Sequence, residues 1–185
     1  MAANTVESLM VPVEKFPMIS QDVTFSEAVL ALDKAQEEFM AGRREQRILL
    51  VRDQDNRIVG KLTPIDVIRG LEPNYGKLVD THASAYVSNF DYVISSMREQ
   101  MQQMSAPWDD LCAKAKDVRV KEFLRKPTSA QVVQVADTLN EALHRFILGG
   151  NDSLFVTDGQ KLVGVIRFSD VYREIQGRIK GVCAS

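Results

Sequence analysis

Val59-Gly60-Lys61-Leu62-Thr63-Pro64-Ile65-Asp66-Val67 and Val163-Gly164-Val165-Ile166-Arg167-Phe168-Ser169-Asp170-Val171 are two occurrences of one pattern. In each, an apolar run crosses a glycine, and Asp-Val follows where the chain turns from strand to helix. Pro64 suits a first helical position, because the amide it lacks would have no partner there. Outward from this pair the agreement continues. Val51, Asp53, Gly60, Asp66 and Val67 correspond to Val156, Asp158, Gly164, Asp170 and Val171, with an offset of 105 at the first pair and 104 from the glycines onward. Further upstream, Val6-Glu7-Ser8-Leu9-Met10 matches Val120-Lys121-Glu122-Phe123-Leu124. Thr24 to Val29 matches Thr138 to Leu143, both at an offset of 114. The first copy therefore carries about ten extra residues, mostly in Glu37 to Gln46, where a helix running on by two turns leaves the flanking strands in register.

Each copy reads as strand, helix, strand, strand, helix. In the second, Val132 to Val135 is a strand, and Thr138 with Glu141 opens a helix as a capping box. Leu139, Ala142, Leu143, Phe146 and Ile147 form that helix's apolar face, and Gly149-Gly150 ends it. Ser153 to Thr157 and Leu162 to Phe168 flank the hairpin signal Asp158-Gly159, and a last helix spans about Ser169 to Lys180. In the first copy, Ile48 to Val51 and Ile58 to Leu62 are the corresponding strands, joined through Asp53-Gln54-Asp55-Asn56. The predicted fold class is α+β (mixed α/β). It comprises a first repeat over 1–70, a helical linker over 71–117 and a second repeat over 118–185.

Composition agrees with a globular protein: 45% of the 185 residues are hydrophobic and 26% charged, which excludes general disorder. No apolar run reaches the roughly 20 residues that cross a bilayer, and MAANTVESLM lacks the form of a secretory signal, so a cytoplasmic location with no membrane partner is expected. Cys112 and Cys183 show no metal or redox spacing. A net charge of −2 provides no general attraction for nucleic acid, which is an unlikely partner.

The doubled Thr-x-x-Glu-Ala helix start and the doubled Gly-x-x-x-x-x-Asp-Val run resemble tandem cystathionine-β-synthase (CBS) domains. This resemblance covers residues 1–70 and 118–185. It implies two β-α-β-β-α units packed with a pseudo-twofold axis that leaves two clefts between the repeats, a regulatory role, and a homodimer. It also implies an adenosine-containing ligand such as AMP, ADP, ATP or S-adenosylmethionine, with no further cofactor. By resemblance Thr63 and Asp66 contact phosphate and ribose in the first copy. In the second, Arg167 replaces the threonine, while Asp170 is kept and Ser169 stands beside it. Ile19 and Ser20, and Val133 in the second copy, fall where the family places adenine.

Each site residue has a structural reading too. Thr63 is a good N-cap, and Asp66 complements a helix dipole without any ligand. Arg167 either clamps phosphate or pairs with Asp170. Ile19 and Val133 are equally at home in a sheet core. The contrast between neutral Thr63 and cationic Arg167 predicts a first cleft for ligands with few phosphates and a second for more charged ones. The cluster Lys114, Lys116, Arg119, Lys121, Arg125 and Lys126 either draws a polyphosphate toward the second cleft or forms a solvated face.

Between the repeats, Phe90, Ile94, Met97, Met101, Met104, Trp108 and Leu111 share one helical face, interrupted by Pro107. That stripe either docks a partner protein or second subunit, or packs on the repeats. His82 and His144 match no triad or metal spacing, and no nucleophile motif occurs, so the chain is not expected to be an enzyme. The expected function is regulatory sensing of an adenosine nucleotide, with a ligand-free dimerisation or scaffold module as the alternative.

Overall fold

The computed structural model describes residues 4–71 and 111–183. After a 3-10 turn at Val6–Ser8 come β1 (Val11–Pro12), a second turn at Val13–Lys15, and β2 (Met18–Ser20). Next are α1 (Phe25–Met40), β3 (Leu49–Arg52), β4 (Ile58–Leu62) and α2 (Pro64–Leu71). The later described part holds α3 (Leu111–Asp117), α4 (Val120–Phe123), a turn at Ser129–Gln131, β5 (Val132–Gln134), α5 (Leu139–Gly149), β6 (Ser153–Asp158), β7 (Lys161–Arg167) and α6 (Phe168–Cys183). The chain is mixed α and β, and both copies have the strand, helix, strand, strand, helix order read from the sequence.

Two compact units divide the chain, Met1–Phe16 with Lys126–Ser185, and Pro17–Arg125. They do not follow the repeats. In the Pro17–Arg125 unit, β2 runs parallel to β3 and β3 antiparallel to β4. Thr24 caps α1 through a capping box with Glu27, and the buried face Phe25, Ala28, Leu32 and Ala35 lies in one core with Leu49, Val51, Leu62 and Val120. In the other unit the sheet order is β1-β7-β6-β5, and the core joins Val6 to Val133, Ala142, Phe146, Leu154, Val156, Ile166 and Val171.

Each unit is thus completed by a leader from the other repeat. Phe25 N–H donates to Val118 O at 2.8 Å, Val120 N–H to Val23 O at 3.1 Å and Lys121 N–H to Gln21 O at 2.9 Å. The same three bonds recur 114 residues away with the partners interchanged. Leu139 N–H donates to Asn4 O at 2.8 Å, Val6 N–H to Asp137 O at 2.8 Å and Glu7 N–H to Val135 O at 3.2 Å. Val6 and Val120, both fully buried, are the apolar plugs of these two leaders.

The repeated glycines make room for the same leaders. A Cβ on Gly164 would stand 2.8 Å from Val11 O and 3.0 Å from Met10 Sδ. On Gly60 it would meet Arg125 O at 3.1 Å and the Leu124 methyls at 3.2 Å. Val11 and Arg125, like Met10 and Leu124, are repeat partners.

Three details differ from the sequence reading. The extra residues of the first copy lengthen α1 to 16 residues against 11 in α5, but Gly42, at φ +68°, stands in the connection to β3 and a second added turn does not form. Ile147 is 66% exposed, because α5 buries only the Ala142 and Phe146 side of its face. The hairpin loop is Gly159-Gln160, since Asp158 still pairs with Lys161. Gly150 ends α5 in the left-handed region at φ +58°, as its sequence position implied. Of the apolar stripe in the linker, only Leu111 is described, and it packs on the Pro17–Arg125 core. Phe90 to Trp108 lie outside the described residues.

Gly164→Ala is expected to destabilise the chain by about 1–3 kcal/mol, because the added methyl meets a backbone oxygen that moves only with β1. Gly60→Ala is expected to cost less, because the backbone oxygen it meets stands at 3.1 Å rather than 2.8 Å and its other neighbour is the flexible Leu124 side chain. Urea unfolding of both variants checks this, and wild-type stability for Gly164→Ala would contradict the close approach.

Candidate functional site

At the β4 to α2 junction, Asp66 lies three residues beyond Thr63, one helical turn back in space. Its Oδ2 accepts the Thr63 backbone N–H at 3.0 Å and the Thr63 hydroxyl at 2.5 Å. Its Oδ1 accepts Arg69 Nη1 at 2.9 Å. Thr63 and Asp66 are both buried, at 8% and 9% exposure, in a chain that hides few other polar groups among its described residues. The carboxylate thus ties a strand end to a helix start and holds one guanidinium beside it.

Asp170 occupies the same place at the β7 to α6 junction, also buried. Arg167 donates to it as a fork, Nε to Oδ2 at 2.5 Å and Nη2 to Oδ1 at 2.6 Å. Arg173 Nη1 stands 3.5 Å from Oδ1. Arg69 and Arg173 are repeat partners three residues after their aspartates. The sequence reading missed them, although the 104-residue offset was there to find both.

Beside the second aspartate lies an open cleft of about 290 Å³ within one compact unit. Ser8 to Val11 of the leader form one side, and Arg167, Asp170, Arg173 and Glu174 the other. Two carboxylates, Asp170 and Glu174, and two guanidinium groups line it; carboxylate oxygens accept from hydroxyls and the guanidinium groups suit phosphate oxygens. The N-terminal leader supplies a wall, which sequence reading did not anticipate because the leader is some 160 residues away along the chain.

The other expected residues are placed as follows. Ile19 is half-buried and packs on the Pro17–Arg125 core, and Val133 is buried in the core of the other unit. Ser20 is half-buried, its hydroxyl accepting Asp22 N–H at 3.2 Å. Ser169 is exposed beside Asp170 and does not line the cleft. The basic cluster is not gathered at the second site. Arg119 Nη1 donates to Asp22 O at 2.6 Å and Lys121 Nζ to Asp22 Oδ1 at 2.8 Å, both in the unit of the first repeat. Their leader crosses to that unit, and the Lys121 bond, helped by Gln54, holds the Asp22 carboxyl below the usual aspartate range. His144 is exposed on α5. Among the described residues, no group of three His, Cys, Asp or Glu side chains is placed to hold a metal ion, and no helix is long and apolar enough to cross a membrane.

Fold and site together define a class: paired βαββα units, each with a buried aspartate at the strand-to-helix junction. Residues 120–177 match the family model of the CBS domain, which places a CBS domain in the second repeat. Among solved structures, a CBS domain-containing protein of unknown function from Kribbella flavida has a TM-score of 0.54 at 20% identity, over 94% of this chain and 99% of that one. CBSX2 in complex with AMP has a TM-score of 0.54 at 18% identity, over 95% and 98%. The cytosolic domain of the Mg2+ channel MgtE in complex with ATP has a TM-score of 0.53 at 16% identity, over 92% of this chain but only 48% of that one. At these identities the likeness is one of fold, and the chain spans about half of the magnesium-transport proteins it matches. No curated protein sequence matches.

Asp66→Ala is expected to cost about 1–3 kcal/mol of stability, because it leaves a buried Thr63 N–H and hydroxyl without their acceptor. Equilibrium unfolding of Asp66→Ala and Asp66→Asn checks this, with the asparagine variant expected between alanine and wild type. Two variants as stable as wild type would remove the structural role of the carboxylate.

Proposed function

We propose that the chain is a regulatory module that senses an adenosine nucleotide. The observation that carries the reading is the cleft where Arg167, Asp170 and Arg173 converge against the leader. A carboxylate accepts two hydroxyl hydrogen bonds at once, as a ribose offers them, and two guanidinium groups match phosphate oxygens. That two solved proteins of this fold hold ATP and AMP supports the choice of ligand. AMP, ADP, ATP and S-adenosylmethionine are the candidates, acting as ligands rather than substrates or cofactors. In this reading occupancy of the cleft is communicated to a regulated protein, and the chain works in the cytoplasm as a homodimer. Apolar side chains left exposed on α2 and α6, among them Ile65, Ile68, Phe168 and Tyr172, are consistent with pairing.

One observation favours a second reading, a scaffold or dimerisation module with no small ligand. Arg167 already occupies both oxygens of Asp170, and Thr63 with Arg69 occupies both of Asp66, so each site is internally satisfied.

Thermal denaturation in the presence of the four candidates separates the two. A ligand that binds only the folded state adds about 2.7 kcal/mol at a hundred times its Kd, which raises Tm by several degrees. A Tm unchanged by all four at millimolar concentration would contradict nucleotide sensing and favour the scaffold.

A further inference from the structure

The second site holds its strand-end cation in Arg167, and the first has neutral Thr63 at that position. The leaders show the converse. Val11, apolar, stands on the wall of the second cleft, and its repeat partner in the first unit is Arg125. Their backbones are placed alike, the Arg125 carbonyl lying over Gly60 as the Val11 carbonyl lies over Gly164. Arg125 belongs to the same compact unit as Thr63 and Asp66. It is half-buried, and its Nη2 is shut off from solvent with no hydrogen-bond partner among the described residues. A guanidinium nitrogen kept from water without an acceptor is costly, and most such groups in folded proteins find a partner.

We propose that Arg125 is a phosphate-contacting residue of the Thr63–Asp66 site, its idle Nη2 donor reserved for an anionic oxygen of the ligand. The inference rests on the nucleotide reading and deepens it. Each site then carries one guanidinium beyond the shared Arg69 or Arg173, drawn from the strand end in one unit and from the leader in the other. The ligand class for the first site becomes a phosphorylated nucleoside, and the difference in charge expected between the two sites narrows. Arg125 leaves the role read for its basic cluster, since it serves the first unit and not the second cleft.

Calorimetry on the full chain with adenosine, AMP and ATP tests this in Arg125→Gln and Arg125→Lys. Loss of a charge-assisted contact is expected to weaken AMP and ATP at one site by about tenfold or more in Arg125→Gln, with adenosine changed by less than about twofold. Arg125→Lys keeps the charge but loses the planar fork, and is expected to lose several-fold for ATP. Wild-type ATP affinity and stoichiometry in Arg125→Gln, or an equal loss for adenosine, would overturn the assignment while leaving nucleotide binding intact. Should Arg125→Gln not fold, the lysine variant decides, and wild-type affinity there would overturn it. Wild-type chain that binds neither AMP nor ATP would overturn both this assignment and the reading beneath it.

Discussion

A leader carbonyl laid over a side-chain-free glycine is the contact on which the rest of this structure depends. Val11 O over Gly164 brings an extended segment against the sheet more closely than a Cβ allows, and Arg125 O over Gly60 leaves a Cβ only a tight fit. Because each leader comes from the opposite repeat, neither repeat holds a complete core by itself. Val6 fills the core of the body formed by residues 126–185, and Val120 fills that of residues 17–71. Three backbone hydrogen bonds at equivalent positions then fix the leader's register on the start of each long helix.

The same contact builds the site. The strand carrying the glycine runs out just before Thr63 or at Arg167, one turn before a buried aspartate, and in the second unit the leader that crosses the glycine becomes the wall of the cleft. Buried carboxylates are tolerated here because every oxygen has a donor, from the Thr63 backbone and hydroxyl and the Arg69 guanidinium in the first unit and from a forked guanidinium in the second. Under the proposed nucleotide sensing, a ligand exchanges with these donors rather than filling a waiting vacancy. In the second unit the same proposal requires Arg167 to loosen from Asp170, a charge-assisted pair whose donor would turn to phosphate while the ribose takes the carboxylate.

Much of the fold was legible because the sequence says it twice. The Thr-x-x-Glu helix start and the Gly150 helix stop are local chemistry and form where their residues stand, the second start with only the Thr138 half of its capping box, while the hairpin forms one residue beyond Asp158-Gly159. Local pattern alone could not place the leaders, since a five-residue match such as Val6 to Met10 and Val120 to Leu124 gives the repeat but not which body it packs on. For that reason the sequence leaves the basic cluster either near the second site or on a solvated face, whereas Arg119 and Lys121 bind Asp22 in the first unit. The pairing of Arg167 with Asp170 was readable from a three-residue spacing, whereas Thr63 and Asp66, read separately as an N-cap and a dipole partner, bond to each other. The burial of Val133 was not, because a β-branched residue in a short strand suits a core and a ligand wall equally.

Hydrogen exchange of the full chain with and without saturating ATP tests the central claim most directly, because it reads the leaders and the aspartate junctions at once. Added protection is predicted at the amides of residues 63–70 and 167–174, and with it at leader residues 8–11 and 122–125. Protection confined to other parts of the chain, or none at any of these segments, would contradict it.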